Sequence, residues 1–215
     1  QSERLNLYLK HATDLISQDK AYRDYTTSES LNGMRKQYQA EKKPFRFTKE
    51  MAKLDPDNDG DPFVIRFEIK PGEDVTWADE VWGAQTWKRD VLDDFVAIKS
   101  DGYPTYNFAV VVDDHLMEIS HVMRGQEFLA TTPKNILVYA AFGWYLPRFA
   151  HLPPVLGPDQ STLSKRHGAP SALASRAQGS LPDSVITYFA LLCFTAFSTN
   201  EVFSTAGFSP VFSLC

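Results

Sequence analysis

The chain is poor in cysteine and has no long apolar run. Its two cysteines, Cys193 and Cys215, are too few for a disulfide framework or a four-cysteine zinc site. A reducing compartment is therefore expected, namely the cytoplasm, with an organellar matrix as the alternative. No run approaches the roughly 18 to 20 apolar residues that cross a bilayer. The start shows no basic region followed by an apolar one, so neither a secretory signal nor a membrane partner is expected.

The chain also lacks an excess of positive charge. Its net charge is −5 and its pI is about 5.5, which argues against a protein whose whole surface binds nucleic acid. A local basic patch stays compatible with these values. Apolar residues at 43%, charged residues at 23% and aromatics at 13% of 215 residues indicate an ordered globular protein of one large or two small domains.

The first half of the chain alternates helical and extended patterns. Apolar residues at three- and four-residue spacing predict a helix within residues 1–22: Leu5, Tyr8, Leu9, Ala12, Leu15 and Ile16. A second helix is predicted from Thr26, which has capping-box spacing to Glu29, and is expected to end before Pro44. Strands are predicted at residues 63–69, 75–87 and 94–99. Residues 23–105 are therefore predicted to form a small α+β unit.

In the second half, predicted strands are followed by helices, as in an α/β domain with a parallel sheet. Strands are predicted at residues 106–112 and 119–123, followed by a helix from residue 132 through Phe142, and by helices at 170–178 and 182–194. Ligands of such sheets bind beyond the carboxyl ends of the strands. Asp113-Asp114 and the segment from Arg124 to Glu127 fall at these positions.

Three polar clusters have two interpretations each. The basic loop at residues 163–168 suits phosphate binding, but a solvated basic turn has the same pattern. Arg124 can hold a substrate carboxylate in a bidentate fork, or form an ordinary ion pair at a strand end. Asp113 and Asp114 can bind Mg²⁺ or act as acid and base, or they can cap the next segment or pair with a nearby Arg or Lys. The five histidines are dispersed, and no metal site is predicted.

Together, these segments resemble the glutamyl-tRNA synthetase family very closely. The matching runs follow the family's order over residues 1 to about 195: Gln1 to Leu5, Lys20 to Tyr22, Ser100 to Met117, His121 to Gly125, Thr132 to Lys134, Phe142 to Trp144, Pro147 to Pro153 and Leu163 to Gly168. A chance match of this length is not credible.

The resemblance implies an α/β fold, the second half of a class I Rossmann catalytic domain with an α+β insertion that contacts the tRNA acceptor end. The implied divisions are residues 1–22 (end of the first Rossmann half), 23–105 (insertion), 106–180 (second half) and 181–215 (start of a helical region contacting the tRNA stem). The implied activity is glutamate–tRNA ligation: ATP with Mg²⁺ activates glutamate, which is then transferred to the 3′ end of tRNA(Glu). A monomer is expected.

The resemblance also assigns roles to residues. Tyr106 and Arg124 match positions that hold glutamate, with Arg124 facing its side-chain carboxylate. Glu127 matches a position on the ATP and 3′-adenosine side. Ser164, Lys165 and Arg166 match the ATP-binding K-M-S-K-S loop. Lys165 is the implied catalytic residue, because a lysine there stabilises the negative charge that shifts as pyrophosphate leaves.

Several features depart from the family pattern. Gln1 aligns after the Gly-rich turn and H-I-G-H segment that bind ATP, and the helical anticodon-binding domain is expected beyond residue 215. Asp24-Tyr25-Thr26 stands where many members have Cys-x-Cys, so no structural zinc is expected. The remaining departures are Thr162 for a usual Lys, Glu118 for a usual Gly and Trp82 for a usual Arg.

Three functional hypotheses follow. The chain is the truncated catalytic region of a working glutamate–tRNA ligase, inactive by itself; or a catalytically inactive truncated paralogue that serves as a binding or structural subunit; or a relative that charges a tRNA nucleoside or tRNA(Gln). The Tyr-Asn-Phe-Ala and Ser-Lys-Arg-His-Gly segments favour a glutamate enzyme over the third hypothesis.

Overall fold

The structure is a computed structural model that describes residues 2–154 and 172–193. Its helices are α1 Leu5–Ser17, α2 Ser28–Ala40, α3 Tyr106–Leu116, α4 Thr132–Phe142, α5 Ala172–Ala177 and α6 Pro182–Cys193. Its strands are β1 Ala21–Asp24, β2 Val64–Phe67, β3 Val75–Asp79, β4 Gly83–Trp87, β5 Phe95–Ile98, β6 His121–Gly125 and β7 Arg148–Leu152. In the described part, no helix has both the length and the apolar character needed to cross a membrane.

The strands form two sheets. One is antiparallel, in the order β1-β2-β5, and the other has the order β4-β3-β7-β6. Strands β6 and β7 run parallel, with Val122 opposite Phe149, and β3 joins β7 in parallel at Asp79. The predicted α/β class with parallel strands and helices is therefore confirmed. The hairpin of β3 and β4, assigned from the sequence to the 23–105 unit, shares a sheet with β6 and β7; the domain boundaries stay a prediction.

The prediction of a strand at residues 106–112 is wrong, because this segment opens helix α3. Phe108, Ala109, Val111 and Val112 are all buried, since the helix packs between α1, α4 and β5. A helix buried on several sides shows a continuous apolar run, which periodicity alone does not distinguish from a buried strand.

Other elements also differ from those predicted, and β6 occupies residues 121–125 instead of 119–123. The first helix ends at Ser17, before strand β1. Thr27, not Thr26, caps α2: its hydroxyl accepts from the Ser30 amide at 3.2 Å. The Thr26 hydroxyl instead accepts from the Lys53 amide at 3.0 Å, which ties the chain to the loop after residue 52. The segment 75–87 is a two-stranded hairpin.

The main hydrophobic core joins α1 to the second half of the chain. Tyr8, Leu15, Phe108 and Val138 are fully buried together. The Tyr8 hydroxyl donates to the Asp113 carboxylate at 2.8 Å, and burial together with this carboxylate raises the pKa of Tyr8 to about 12. The packing of α1 thus fixes α3, the helix that begins at Tyr106.

Helices α3 and α4 end in the same way, but with different residues. Glu118 follows α3 at φ +54°, and the next amide bonds back to Asp114 at 2.9 Å. Gly143 follows α4 at φ +68°, and the next amide bonds back to Tyr139 at 3.0 Å. This left-handed C-terminal position favours glycine because a Cβ is strained there. The usual family glycine at position 118 therefore has a backbone reason.

We predict that Glu118→Gly raises the free energy of unfolding by about 1 kcal/mol, because it removes this strain. Urea denaturation measures the change. Gly143→Ala is the matched control with the opposite sign, since a Cβ at Gly143 would meet open space and only its φ matters. A loss of stability in both variants would contradict the backbone explanation.

Candidate active site

Arg124, at the end of β6, is held by three side chains, none of which is a carboxylate. Its Nε donates to His151 Nε2 at 3.2 Å. Its Nη2 donates to Thr132 Oγ1 at 2.8 Å and to Asn135 Oδ1 at 3.0 Å. His151, Thr132 and Asn135 are buried. The guanidinium is thus fixed in position while its positive charge is left without a carboxylate partner among the described residues.

Aromatic rings surround the guanidinium and connect it to Tyr106. Arg124 lies 5.4 Å from the ring centroid of Phe128 and 5.9 Å from that of Phe149. Tyr106, in the first turn of α3 and half-exposed, packs on Phe128 with ring centroids 5.4 Å apart. Tyr106 and Arg124 therefore both contact Phe128. In the described part of the chain, the two Nη1 hydrogens of Arg124 keep no protein acceptor.

Behind Arg124 lies a fully buried pair, Asp79 and His151. The His151 Nδ1 is 2.5 Å from Asp79 Oδ2. The other carboxylate oxygen, Oδ1, accepts from the amides of Val81 and Trp82 at 3.1 Å and of His151 at 3.2 Å. Burial opposes ionisation of Asp79, but these hydrogen bonds outweigh it and hold its pKa below the usual value.

Trp82 lies in the turn of the β3–β4 hairpin and is hydrogen-bonded to β7. Its indole N–H donates to the His151 carbonyl at 2.8 Å, and its amide donates to Asp79. The residue that replaces a usual family arginine is therefore part of the framework behind Arg124.

Glu127 lies in a 3-10 helix that follows β6, Gln126–Thr131. Its carboxylate folds back over Gly125 so closely that a Cβ on Gly125 would overlap it. Glycine at this position leaves room for the carboxylate beside the strand end. Glu127 is exposed and lies three residues after Arg124.

The loop that carries the other predicted residues lies outside the described residues. This applies to Ser164, Lys165 and Arg166, the predicted ATP-binding and catalytic residues, and to Thr162. Their roles stay predictions from the resemblance.

Asp113 and Asp114 have different surroundings. Asp113 pairs with Arg4 at 3.2 Å and accepts from Tyr8, which agrees with the interpretation as an ion pair. Asp114 is half-buried, and burial raises its pKa, although Arg124 opposes this rise. Among residues 2–154 and 172–193, no group of three or more His, Cys, Asp or Glu side chains is arranged to hold a metal ion.

Sequence reasoning missed the partners of Arg124. Phe128, Thr132 and Asn135 follow it at four-residue and three-residue steps, so a local signal existed. Asp79 lies 72 residues from His151. That separation leaves no local signal for the buried pair.

Comparison with known proteins agrees with this architecture. The family model described as tRNA synthetases class I (E and Q), catalytic domain, matches residues 1–214. Glutamate–tRNA ligases from Coprothermobacter proteolyticus and Moorella thermoacetica are 40% and 42% identical over 95% and 100% of the chain. The chain spans 45% of the length of each of these relatives.

Solved structures give the same result. A glutamate tRNA ligase from Elizabethkingia meningosepticum, determined in complex with its amino acid, is 30% identical, with a TM-score of 0.89 over 100% of this chain and 49% of that one. The glutamate-tRNA synthetase of Elizabethkingia anophelis is 31% identical, with a TM-score of 0.89 over 100% of this chain and 50% of that one. The fold is thus that of a class I aminoacyl-tRNA synthetase catalytic domain. Within that class, the chain belongs to the family of glutamate and glutamine (E and Q) tRNA synthetases.

Asp24, which the resemblance places where many family members have Cys-x-Cys, forms a buried ion pair with Arg66. The Asp24 carboxylate lies 2.6 Å from Arg66 Nε and also accepts from the Thr26 amide at 2.8 Å. We predict that the purified protein contains far less than one zinc per chain, because no thiolate is offered there and Asp24 is already paired. Elemental analysis of this protein, and of a relative that keeps both cysteines, measures the zinc content per chain. Stoichiometric zinc in this protein would overturn the prediction.

Proposed function

We propose that this chain is part of a glutamate–tRNA ligase, in which Arg124 binds the side-chain carboxylate of glutamate. The observation that carries the proposal is the set of Arg124 contacts: three hydrogen bonds to side chains that are not carboxylates, and two Nη1 hydrogens with no acceptor in the described part. A guanidinium held in this way prefers an anionic, planar ligand. The names of the relatives support glutamate as that ligand.

Tyr106 completes the proposed amino-acid site. Its ring contacts Phe128, which also lies beneath the Arg124 guanidinium. The phenol is half-exposed and stands at the first turn of α3. In the proposal, Tyr106 hydrogen-bonds glutamate while Arg124 neutralises its side-chain charge. Glutamine would offer the same shape without that charge.

The proposed reaction continues with ATP, bound with Mg²⁺ as the substrate complex. Glu127 lies on the nucleotide side, and Ser164, Lys165 and Arg166 bind the phosphates. Lys165 is the proposed catalytic residue, because its ammonium stabilises the charge that develops as pyrophosphate leaves. The acceptor end of tRNA(Glu) then receives the glutamate. We further propose a monomer acting in the cytoplasm, or in an organellar matrix. Activity measurements distinguish this proposal from its alternative, a catalytically inactive paralogue.

We predict that Arg124→Lys raises the KM for glutamate about 100-fold, because the charge remains but the planar donor set and its fixed contacts are lost. The assay is glutamate-dependent ATP–pyrophosphate exchange by the extended protein, meaning these 215 residues within a chain of the relatives' full length. Arg148→Lys is the matched control: it lies on neighbouring β7, pairs with Glu80 at the surface, and should change KM little. An equal effect of both variants would contradict the role of Arg124.

We also predict that the 215-residue chain alone shows no detectable exchange, while the extended protein does. Exchange requires glutamate and the α-phosphate of ATP to be positioned together, and the resemblance places the Gly-rich and H-I-G-H nucleotide-binding elements in the extension. Lys165→Ala in the extended protein should then lower the rate by about 100- to 1,000-fold.

Two results would contradict this account. Robust exchange by the 215-residue chain would show that it holds a complete nucleotide site. Absence of exchange in the extended protein would favour the inactive paralogue, with Thr162 and Glu118 as the first residues to restore to the family pattern.

A further inference from the structure

The function proposed above gives no role to the fully buried Asp79, and it uses His151 only as one of the three hydrogen-bond partners of Arg124. We propose, resting on that function, that both are positioning residues for glutamate. Asp79 fixes which nitrogen of His151 carries the proton, and His151 in turn fixes the orientation of the Arg124 guanidinium. Neither residue need touch the substrate.

The contacts of His151 define its protonation. The Nε of Arg124 carries a hydrogen and no lone pair, so it can only donate to His151 Nε2 at 3.2 Å. In the proposal Nε2 is therefore an acceptor, also for the Thr132 hydroxyl at 2.9 Å, and the imidazole hydrogen lies on Nδ1. That hydrogen is donated to Asp79 Oδ2 at 2.5 Å. A protonated His151 would turn an N–H toward the cation.

The two oxygens of Asp79 are not equivalent. Oδ1 accepts from three backbone amides, those of Val81, Trp82 and His151. Backbone amides only donate, so any side-chain atom at the Oδ1 position must be an acceptor. Oδ2 faces the imidazole, where it accepts from Nδ1.

This asymmetry determines what an amide does at position 79. In Asp79→Asn the amide oxygen must occupy the Oδ1 position, so the amide NH₂ faces His151 Nδ1. The Nδ1 atom then becomes an acceptor, and the imidazole hydrogen moves to Nε2, opposite the Arg124 Nε–H. A carboxylate-to-amide change beside a histidine selects the wrong tautomer in this way.

Thr132 allows the altered tautomer to exist in a folded protein. Its hydroxyl lies 2.9 Å from His151 Nε2 and 3.1 Å from the Phe128 carbonyl. It can accept from the new Nε2–H while it donates to Phe128. Arg124 therefore loses a hydrogen bond, because its Nε–H then faces the Nε2–H of His151 instead of an acceptor.

The test combines nitrogen-15 NMR of the histidine ring with exchange kinetics, both on the extended protein. For Asp79→Asn we expect the His151 hydrogen to move from Nδ1 to Nε2. The KM for glutamate should rise about 10- to 100-fold, because a hydrogen bond to a charged group is lost. The KM for ATP should stay within about twofold, since Arg124 does not face the nucleotide in this account. Glu80→Gln, the same chemical change one residue further on, should leave the tautomer and both KM values unchanged.

Two results overturn the proposal: a tautomer that does not move, or one that moves while the KM for glutamate stays the same. If Asp79→Asn fails to fold, His151→Gln and His151→Leu decide instead. Glutamine keeps an acceptor near the Arg124 Nε and should retain a lower glutamate KM than leucine; equal values would overturn the proposal. Absence of glutamate-dependent exchange in the unmutated extended protein would refute the proposed function instead, and the NMR result would still decide the Asp79–His151 relationship.

Discussion

The hydrogen bond between the Asp79 carboxylate and the His151 imidazole connects the β3–β4 hairpin to the parallel strands β6 and β7. Both side chains are fully buried, so their polar atoms must be satisfied within the protein. Three backbone amides and the His151 imidazole donate to the Asp79 carboxylate, and the Arg124 guanidinium donates in turn to the imidazole. The position of Arg124 therefore depends on a hairpin that is remote from it along the chain.

The second physical feature of the site is that Arg124 has no carboxylate partner among the described residues. A carboxylate partner would satisfy the guanidinium and compete with an anionic ligand. His151, Thr132 and Asn135 instead satisfy three N–H groups without cancelling the charge. The faces of Phe128 and Phe149 offset part of the cost of burying the cation. The structure thus keeps a positive charge fixed and half-buried, with the two Nη1 hydrogens unpaired among the described residues.

Features that depend on residues close together in the sequence could be predicted from it. Features that depend on contacts between distant residues could not. The start of α4 was predicted well, because Thr132-Pro133 is a local signal, whereas β6 begins and ends two residues later than predicted. Residues 106–112 were assigned wrongly as a strand, because residues 108–112 of helix α3 form a continuous apolar run without a visible helical period. The Asp79–His151 pair could not be predicted from the sequence, because only the fold brings these two distant residues together. The hairpin turn at Trp82 was missed for a related reason: its contacts with His151 and Asp79 cross between strands.

If Arg124 recognises a negative charge rather than a shape, as we propose, the protein should discriminate glutamate from glutamine. The two amino acids have nearly the same size, and they differ in whether the side chain presents a carboxylate or an amide. The measurement is kcat/KM for each in ATP–pyrophosphate exchange by the unmutated extended protein. We expect a preference for glutamate of at least about 100-fold, because the amide NH₂ would place a donor against the fixed guanidinium. Equal kcat/KM values for glutamate and glutamine would contradict it.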